Sequence, residues 1–231
     1  KLTWEVSCLA TMQLADKAAR HGIKRFIYAS SGSVYGIKDE PEVTEDLELL
    51  PLSEYNKTKM CAERILLSYA DQMAMQIVRP ATVCGFSPRM RLDVSVNMLT
   101  MQALKNGKIT VFGGDQTRPN IHIQDITDLY LYLLDHPEIT GIYNAGFENI
   151  SIRDIAQRVQ QYVDDVEVEV TPSNDPRSYR INSDKLLSTG FKPRHGVDDA
   201  IKELVGLYRQ GALEDHDQWH NLKWMQQRVV Q

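Results

Sequence analysis

The sequence predicts an α/β protein, a doubly wound parallel sheet joined to a smaller α+β lobe. Two observations carry this. First, a short apolar run, a helical segment and a second apolar run follow one another as "KRFIYAS", "SEYNKTKMCAERILLSYADQM" and "AMQIVRP". That is the strand–helix–strand order of a parallel crossover. Second, the chain beyond residue 86 changes to short extended pieces separated by amphipathic helices, without a recurring crossover.

Each element has a local reason. In "WEVSCLATMQLADKAARHG" apolar residues recur at helical spacing (Val6, Leu9, Met12, Ala15, Ala19) and Gly22 supplies a stop. "KRFIYAS" is apolar and ends in small residues, as a central parallel strand does. Residues 37–53 are acidic and carry prolines, which predicts a surface loop. Ser53 is placed to cap the next helix. "AMQIVRP" is a second strand, ended by Pro80. Further on, "LDVSVNMLTMQALKNG" reads as a helix stopping at Gly107, and "KITVF" and "RPNIHI" as extended pieces. Amphipathic helices are expected near 125–135 and 151–163, with "GIYNAG" between them, and "VEVEV" alternates like a half-buried strand. Residues 197–209 are helical again, before a polar C-terminal helix or tail.

Composition sets limits. With 231 residues, 42% apolar and 25% charged, the chain has the make-up of a globular protein with a sizeable core. A formal charge of −5 argues against a general nucleic-acid surface. No apolar run approaches the roughly 20 residues that span a bilayer. Three scattered cysteines (Cys8, Cys61, Cys84) form neither a disulfide framework nor a zinc ribbon, and a reduced, cytoplasmic setting is expected. His216 and His220 are four apart but lack a third ligand, so no metal site is expected.

The chemistry is concentrated in "YASSGSVYG" and "YNKTK". Tyr55 and Lys59 lie four apart on a predicted helix, hence on one face. A phenol with an ordinary pKa near ~10 is a poor base at neutral pH, and an adjacent ammonium favours the phenolate. Alone, Tyr-x-x-x-Lys also describes a pair on a solvated face. Following a strand that ends in Ser-Ser-x-Ser-x-Tyr-Gly, it does not.

Through "KRFIYASSGSVYG", "PLSEYNKTKMCAE", "IVRPATVCG", "TRPNIHIQDITD" and "GIYNAG" the chain resembles the extended short-chain dehydrogenase/reductase family, in its nucleotide-sugar epimerase and dehydratase branch. The resemblance implies a Rossmann-like domain with a substrate lobe and an NAD or NADP cofactor. It implies Ser31 as the proton-sharing hydroxyl, Tyr55 as the base and Lys59 as the lysine that also reaches the cofactor ribose. Ser30 and Pro80 are expected beside the cofactor. Tyr35 and Gly36 are expected to close the turn. On the substrate side it implies Thr82, Asn97, Arg118, Arg177, Tyr179 and Arg180, which would hold a nucleotide-diphosphate sugar; a guanidinium fork suits a diphosphate. Arg89 and Arg91 border the expected sugar pocket, and His122 is expected to be structural.

Two departures refine this. The two positions after Ser31, an acidic pair in the 4,6-dehydratases, are Gly32 and Ser33. That favours an NAD(P)-dependent epimerase acting at C4 through a keto sugar, with a keto-reductase or dehydrogenase as the alternative. The family's G-x-x-G-x-x-G phosphate loop does not occur in the 231 residues. The expectation is the C-terminal part of a longer protein; a non-catalytic binding protein lacking the cofactor half is the other reading. The expected domains are 1–85 with parts of 110–150 as the sheet domain, 86–110 and 150–210 as the lobe, and 211–231 as the tail. A homodimer through helices near 3–20 and 54–73 follows from the resemblance, with neither nucleic acid nor membrane as partner.

Overall fold

A computed structural model describes residues 1–173 and 178–229 of the chain. It divides into two compact units. The first comprises Lys1–Ala81, Ile126–Phe147 and Tyr179–Pro193; the second comprises Thr82–Asp125, Glu148–Ser178 and Arg194–Gln231.

The first unit opens with a continuous helical stretch: α1 (Leu2–Trp4), a π-helical segment (Glu5–Leu9) and α2 (Ala10–Arg20). Then follow β1 (Arg25–Ala29), a 3₁₀ turn (Gly32–Tyr35), α3 (Glu54–Leu67) and β2 (Ala74–Pro80). Most of α5 (Ile123–Asp135), β6 (Gly141–Ala145) and α7 (Asp184–Leu187) complete it. The three strands form a parallel sheet in the order β1-β2-β6, in register from Arg25 opposite Ala74 to Ala29 opposite Val78. Ser53 caps α3 as expected, its Oγ accepting from Asn56 N at 3.1 Å. Ala15, Tyr28, Ala62, Leu66, Met73, Met75 and Ile77 are buried together between the sheet and its helices.

The central strand also buries polar groups. Gln76 is fully buried, and its Nε2 donates to the carbonyls of Leu133, His136 and Ile139 at 3.2, 3.0 and 2.8 Å. These carbonyls lie at and just beyond the end of α5, where helical donors run out and burial requires others.

One expectation changes here. The lobe was to run through 150–210, yet Tyr179–Pro193 belongs with the parallel sheet. Val43 N donates to Arg180 O at 2.7 Å, and Val43 and Ile181 form a parallel bridge, tying that segment down. On α1–α2 the apolar residues do not all face inward. Cys8, Thr11 and Ala15 are buried, whereas Leu2, Val6, Leu9 and Leu14 are exposed. Sequence periodicity marks an apolar stripe but does not say what covers it.

The second unit holds β3 (Thr82–Cys84), α4 (Ser95–Asn106), β4 (Lys108–Phe112), β5 (Thr117–His122), β7 (Glu148–Ser151), α6 (Ile152–Gln160), β8 (Glu167–Thr171), α8 (Val197–Arg209) and α9 (Asn221–Val229). β5 pairs in parallel with β3 and antiparallel with β7, and β4 pairs in parallel with β8. Val96, Leu99, Ile109, Ile155, Val159, Val197 and Ile201 are among the buried residues of its core. Among the described residues no helix is long and apolar enough to cross a membrane.

Candidate active site

The end of β1 and the first turns of α3 carry the reactive groups. β1 runs straight into Ser30 and Ser31, and Ser31 caps the 3₁₀ turn with extended backbone angles (φ −160°, ψ 139°). Its Oγ accepts from Ser33 N at 3.3 Å and lies 2.8 Å from Ser33 Oγ. Ser33 Oγ in turn donates to Asn56 Oδ1 at 2.7 Å. The direction of this chain follows from valence. Asn56 Oδ1 can only accept, so the single Ser33 proton goes there, and Ser31 donates to Ser33. Ser31 therefore offers a lone pair outward while its own proton is held behind it.

Tyr55 and Lys59 leave the same face of α3. Tyr55 is 45% exposed, a large exposure for a tyrosine on a helix face that also carries buried residues. The Lys59 ammonium donates to the Ala29 carbonyl at 2.7 Å and sits 5.8 Å from the centre of the Tyr55 ring. Burial pulls the Lys59 pKa below its ordinary value, and the Glu63 carboxylate partly offsets this.

One turn further, Glu63 continues that face inward. It is 1% exposed, as Arg79 in the central strand is 2% exposed, and Arg79 Nη2 meets Glu63 Oε2 at 2.6 Å. Arg79 Nε adds bonds of 3.0 and 3.3 Å to the two carboxylate oxygens. Ser30 Oγ also donates to Glu63 Oε1. On its other side Arg79 Nη1 donates to Tyr35 Oη at 2.7 Å, and Tyr35 Oη donates to Asn144 Oδ1 at 2.7 Å. Burial lowers the Arg79 pKa, but the bonds and charge of Glu63, with Tyr35, outweigh it and the net shift is upward. The network pins Ser30, and with it the backbone of Ser31, against α3.

Gly32 and Gly36 are set by space. A Cβ at Gly32 would lie 2.4 Å from Ile181 Cδ1 and 3.2 Å from the Pro80 carbonyl oxygen. At Gly36, with φ of 73°, a Cβ would lie 2.0 Å from the Leu50 carbonyl oxygen. A side chain at position 32 would have to push the end of Ile181 aside and move the Pro80 carbonyl by a few tenths of an ångström.

The first unit thus brings together Ser30, Ser31, Tyr55 and Lys59, with Pro80 at the end of β2 beneath the Gly32 turn. Tyr179 packs against Val34, Tyr35 and Val43 under the same turn, and Arg180 is exposed beside it. Thr82, Asn97 and Arg118 stand in the second unit. Thr82 begins β3, and Arg118 is half-buried on β5. The Asn97 amide is already taken up: its Oδ1 accepts from Gly85 N at 3.0 Å, and its Nδ2 donates to the carbonyls of Gly85 and Arg91 at 3.3 and 2.9 Å. It orders the 85–91 loop. Arg177 lies outside the described residues.

Arg89 bonds to Met90 O and Asn221, and Arg91 to Asp93. His122 is buried, and its Nδ1 accepts from Gln124 N at 3.1 Å. Sequence reasoning missed Ser33, Asn56, Glu63 and Arg79. The signals were there: Glu63 repeats the four-residue spacing of Tyr55 and Lys59, and an arginine inside an apolar strand demands a buried partner.

The chain is 30% identical over 154 residues to the uncharacterized UDP-glucose epimerase YtcB of Bacillus subtilis, covering 65% of this chain and 48% of that protein. It is 27% identical over 219 residues to the dTDP-D-glucose 4,6-dehydratase of Mus musculus, covering 89% and 61%. The chain thus spans about half to three fifths of the length of these relatives. A crystal structure of UDP-glucuronic acid 4-epimerase from Bacillus cereus, in complex with UDP-glucuronic acid and NAD, superposes with a TM-score of 0.77 at 27% identity, covering 88% of this chain and 67% of that one. The profile of the NAD dependent epimerase/dehydratase family matches residues 1–146, and the chain belongs to that family.

Proposed function

We propose that the chain carries the proton-transfer and substrate-binding part of an NAD(P)-dependent nucleotide-sugar epimerase that acts at C4 through a keto intermediate. The observation that carries this reading is the joint placement of Ser31, Tyr55 and Lys59, with glycine and serine rather than acids at positions 32 and 33.

The donor set fits the nicotinamide–ribose end of the cofactor. Lys59 keeps two N–H groups beyond the one on Ala29 O, and Tyr55 stands next to it, a pairing suited to a ribose diol. When bound, the nicotinamide supplies the redox chemistry, accepting a hydride from the sugar carbon and returning it. The residues of this chain handle the proton. The Lys59 ammonium lowers the cost of the Tyr55 phenolate. Tyr55 takes the single proton of the sugar hydroxyl, with Ser31, its own proton still held by Ser33, beside that oxygen. At the keto stage Ser31 swings its proton towards the keto oxygen and holds it until the sugar has turned. Return of the proton from Tyr55 then completes the inversion.

Tyr179 and Arg180 of the first unit, and Thr82 and Arg118 of the second, are each proposed as nucleotide-sugar contacts, and Asn97 orders the 85–91 loop of the second. A homodimer through α1–α2, with its exposed Leu2, Val6, Leu9 and Leu14, and α3 belongs to the same reading. The 4,6-dehydration carried out by some family members is disfavoured because neither Gly32 nor Ser33 can act as an acid. The test is turnover of a panel of UDP- and dTDP-sugars with NAD or NADP, followed by NMR of the C4 configuration. Tyr55→Phe should abolish turnover while nucleotide-sugar binding, read by calorimetry, persists. Undiminished turnover in that variant would sink the assignment.

A further inference from the structure

Lys59 is half-buried, yet its use in the proposed chemistry requires it to remain a charged, fixed ammonium. Its side chain reaches back from α3 over the end of β1, and Tyr28 of that strand lies under it. The ammonium stands 4.8 Å from the centre of the Tyr28 ring, against 5.8 Å from that of Tyr55, while one N–H is taken by Ala29 O at 2.7 Å. Tyr28 is 8% exposed and wedged among Ala15, Ala62, Leu66 and Ile77, so its ring cannot turn away.

We propose that Tyr28 is a positioning residue for Lys59: its ring face, the Ala29 carbonyl and the Tyr55 ring form a three-sided seat that keeps the ammonium charged and aimed. This rests on the reading of Lys59 as the partner of Tyr55, and goes beyond it in naming what holds the lysine. The physical reason is the exchange of hydration for other favourable surroundings. An ammonium leaving water loses solvation, and a ring quadrupole within about 6 Å restores part of it without adding a negative charge. A carboxylate in the same place would hold the lysine too tightly to share its field with a phenolate. Glu63, one turn on along α3, supports the Lys59 charge in part through its own, but its carboxylate oxygens are bonded to Arg79 and Ser30. The Tyr28 ring also stays neutral in use, because burial pushes its phenol up to about 12.

The test reads the lysine directly and needs no turnover. In the 231-residue chain, lysines are reductively methylated with ¹³C and followed by NMR against pH, the Lys59 signal being identified by its loss in Lys59→Arg. Tyr28→Phe retains the ring, and mono-, di- and trifluorophenylalanine at position 28 then weaken the quadrupole at nearly constant volume, so that packing is preserved. The Lys59 pKa is expected to fall stepwise with fluorine number, by about half to one unit across the series, the scale of a partly desolvated cation–π contact. A flat series, or one not ordered by fluorine number, overturns the seat while leaving the Tyr55 assignment standing. Turnover surviving in Tyr55→Phe would overturn that assignment and leave the seat untouched.

Discussion

Removing the guanidinium from the centre of the sheet is the most direct test of how the candidate site is held. In Arg79→Met the strand keeps an apolar side chain of similar length, but Glu63 loses contacts of 2.6, 3.0 and 3.3 Å and Tyr35 Oη loses its 2.7 Å donor. Both side chains of the pair are 3% exposed or less, so water cannot replace the lost bonds without opening the core. Breaking one member of a buried pair costs about 3–5 kcal/mol because the other charge is left uncompensated. For a chain of this size that is a fall in melting temperature of roughly 10 °C. The double variant Glu63→Leu/Arg79→Met removes both charges. It leaves the Ser30 hydroxyl without its acceptor, at about 1–3 kcal/mol, while Tyr35 keeps Asn144 and loses, with the Glu45 carbonyl, one donor. The two substitutions should therefore be strongly non-additive, the double variant lying about 2 kcal/mol or more above the sum of the single ones. Urea unfolding followed by both circular dichroism and tryptophan fluorescence gives the free energies and shows whether the two units unfold together. A single variant within 1 kcal/mol of the parent, or an additive double, would refute the claim that this pair holds the site.

Three further expectations can be checked alongside. Gly32→Ala should destabilise by no more than about 1 kcal/mol, since the new methyl pushes aside the flexible end of Ile181 and presses lightly on the Pro80 carbonyl, and the longer Gly32→Asp by more; equal unfolding midpoints for Gly32→Asp and parent would contradict the crowding. Burial pushes the phenols of Tyr28 and Tyr35 up to about 12, above the unfolded value near ~10, so the folded state keeps protons that the unfolded state releases. Their contribution, on the order of 2 kcal/mol each, is whole below pH 10 and lost as pH rises towards 12; absorbance at 295 nm should show a late-titrating class that merges with unfolding, and its absence would speak against their burial. Val6→Asp with Leu9→Asp should shift a dimer to monomer in light scattering without lowering the melting temperature of the monomer, whereas an unchanged mass would remove α1–α2 from the interface.

Much of this protein was readable from local pattern. The strand "AMQIVRP" appears as β2 over Ala74–Pro80, and the helix after Ser53 begins at Glu54, because a short apolar run and a capping hydroxyl are properties of neighbouring residues. The pairing of Tyr55 with Lys59 was legible for the same reason, since four residues bring side chains onto one helical face. Gly32 was read as a missing acid, and packing adds a neighbour: the end of Ile181, about 150 residues away, lies against it.

What the chain alone determined were the elements, the one-face placement of Tyr55 and Lys59, and the turn that presents Ser31. Only the tertiary structure decided what holds them. The network Ser30–Glu63–Arg79–Tyr35–Asn144 joins residues up to 109 apart in sequence, and the Asn97 amide serves its own loop. Separations of that length carry no periodic trace. Burial removes water from each polar group and requires a partner, and the fold alone determines which partner is within reach.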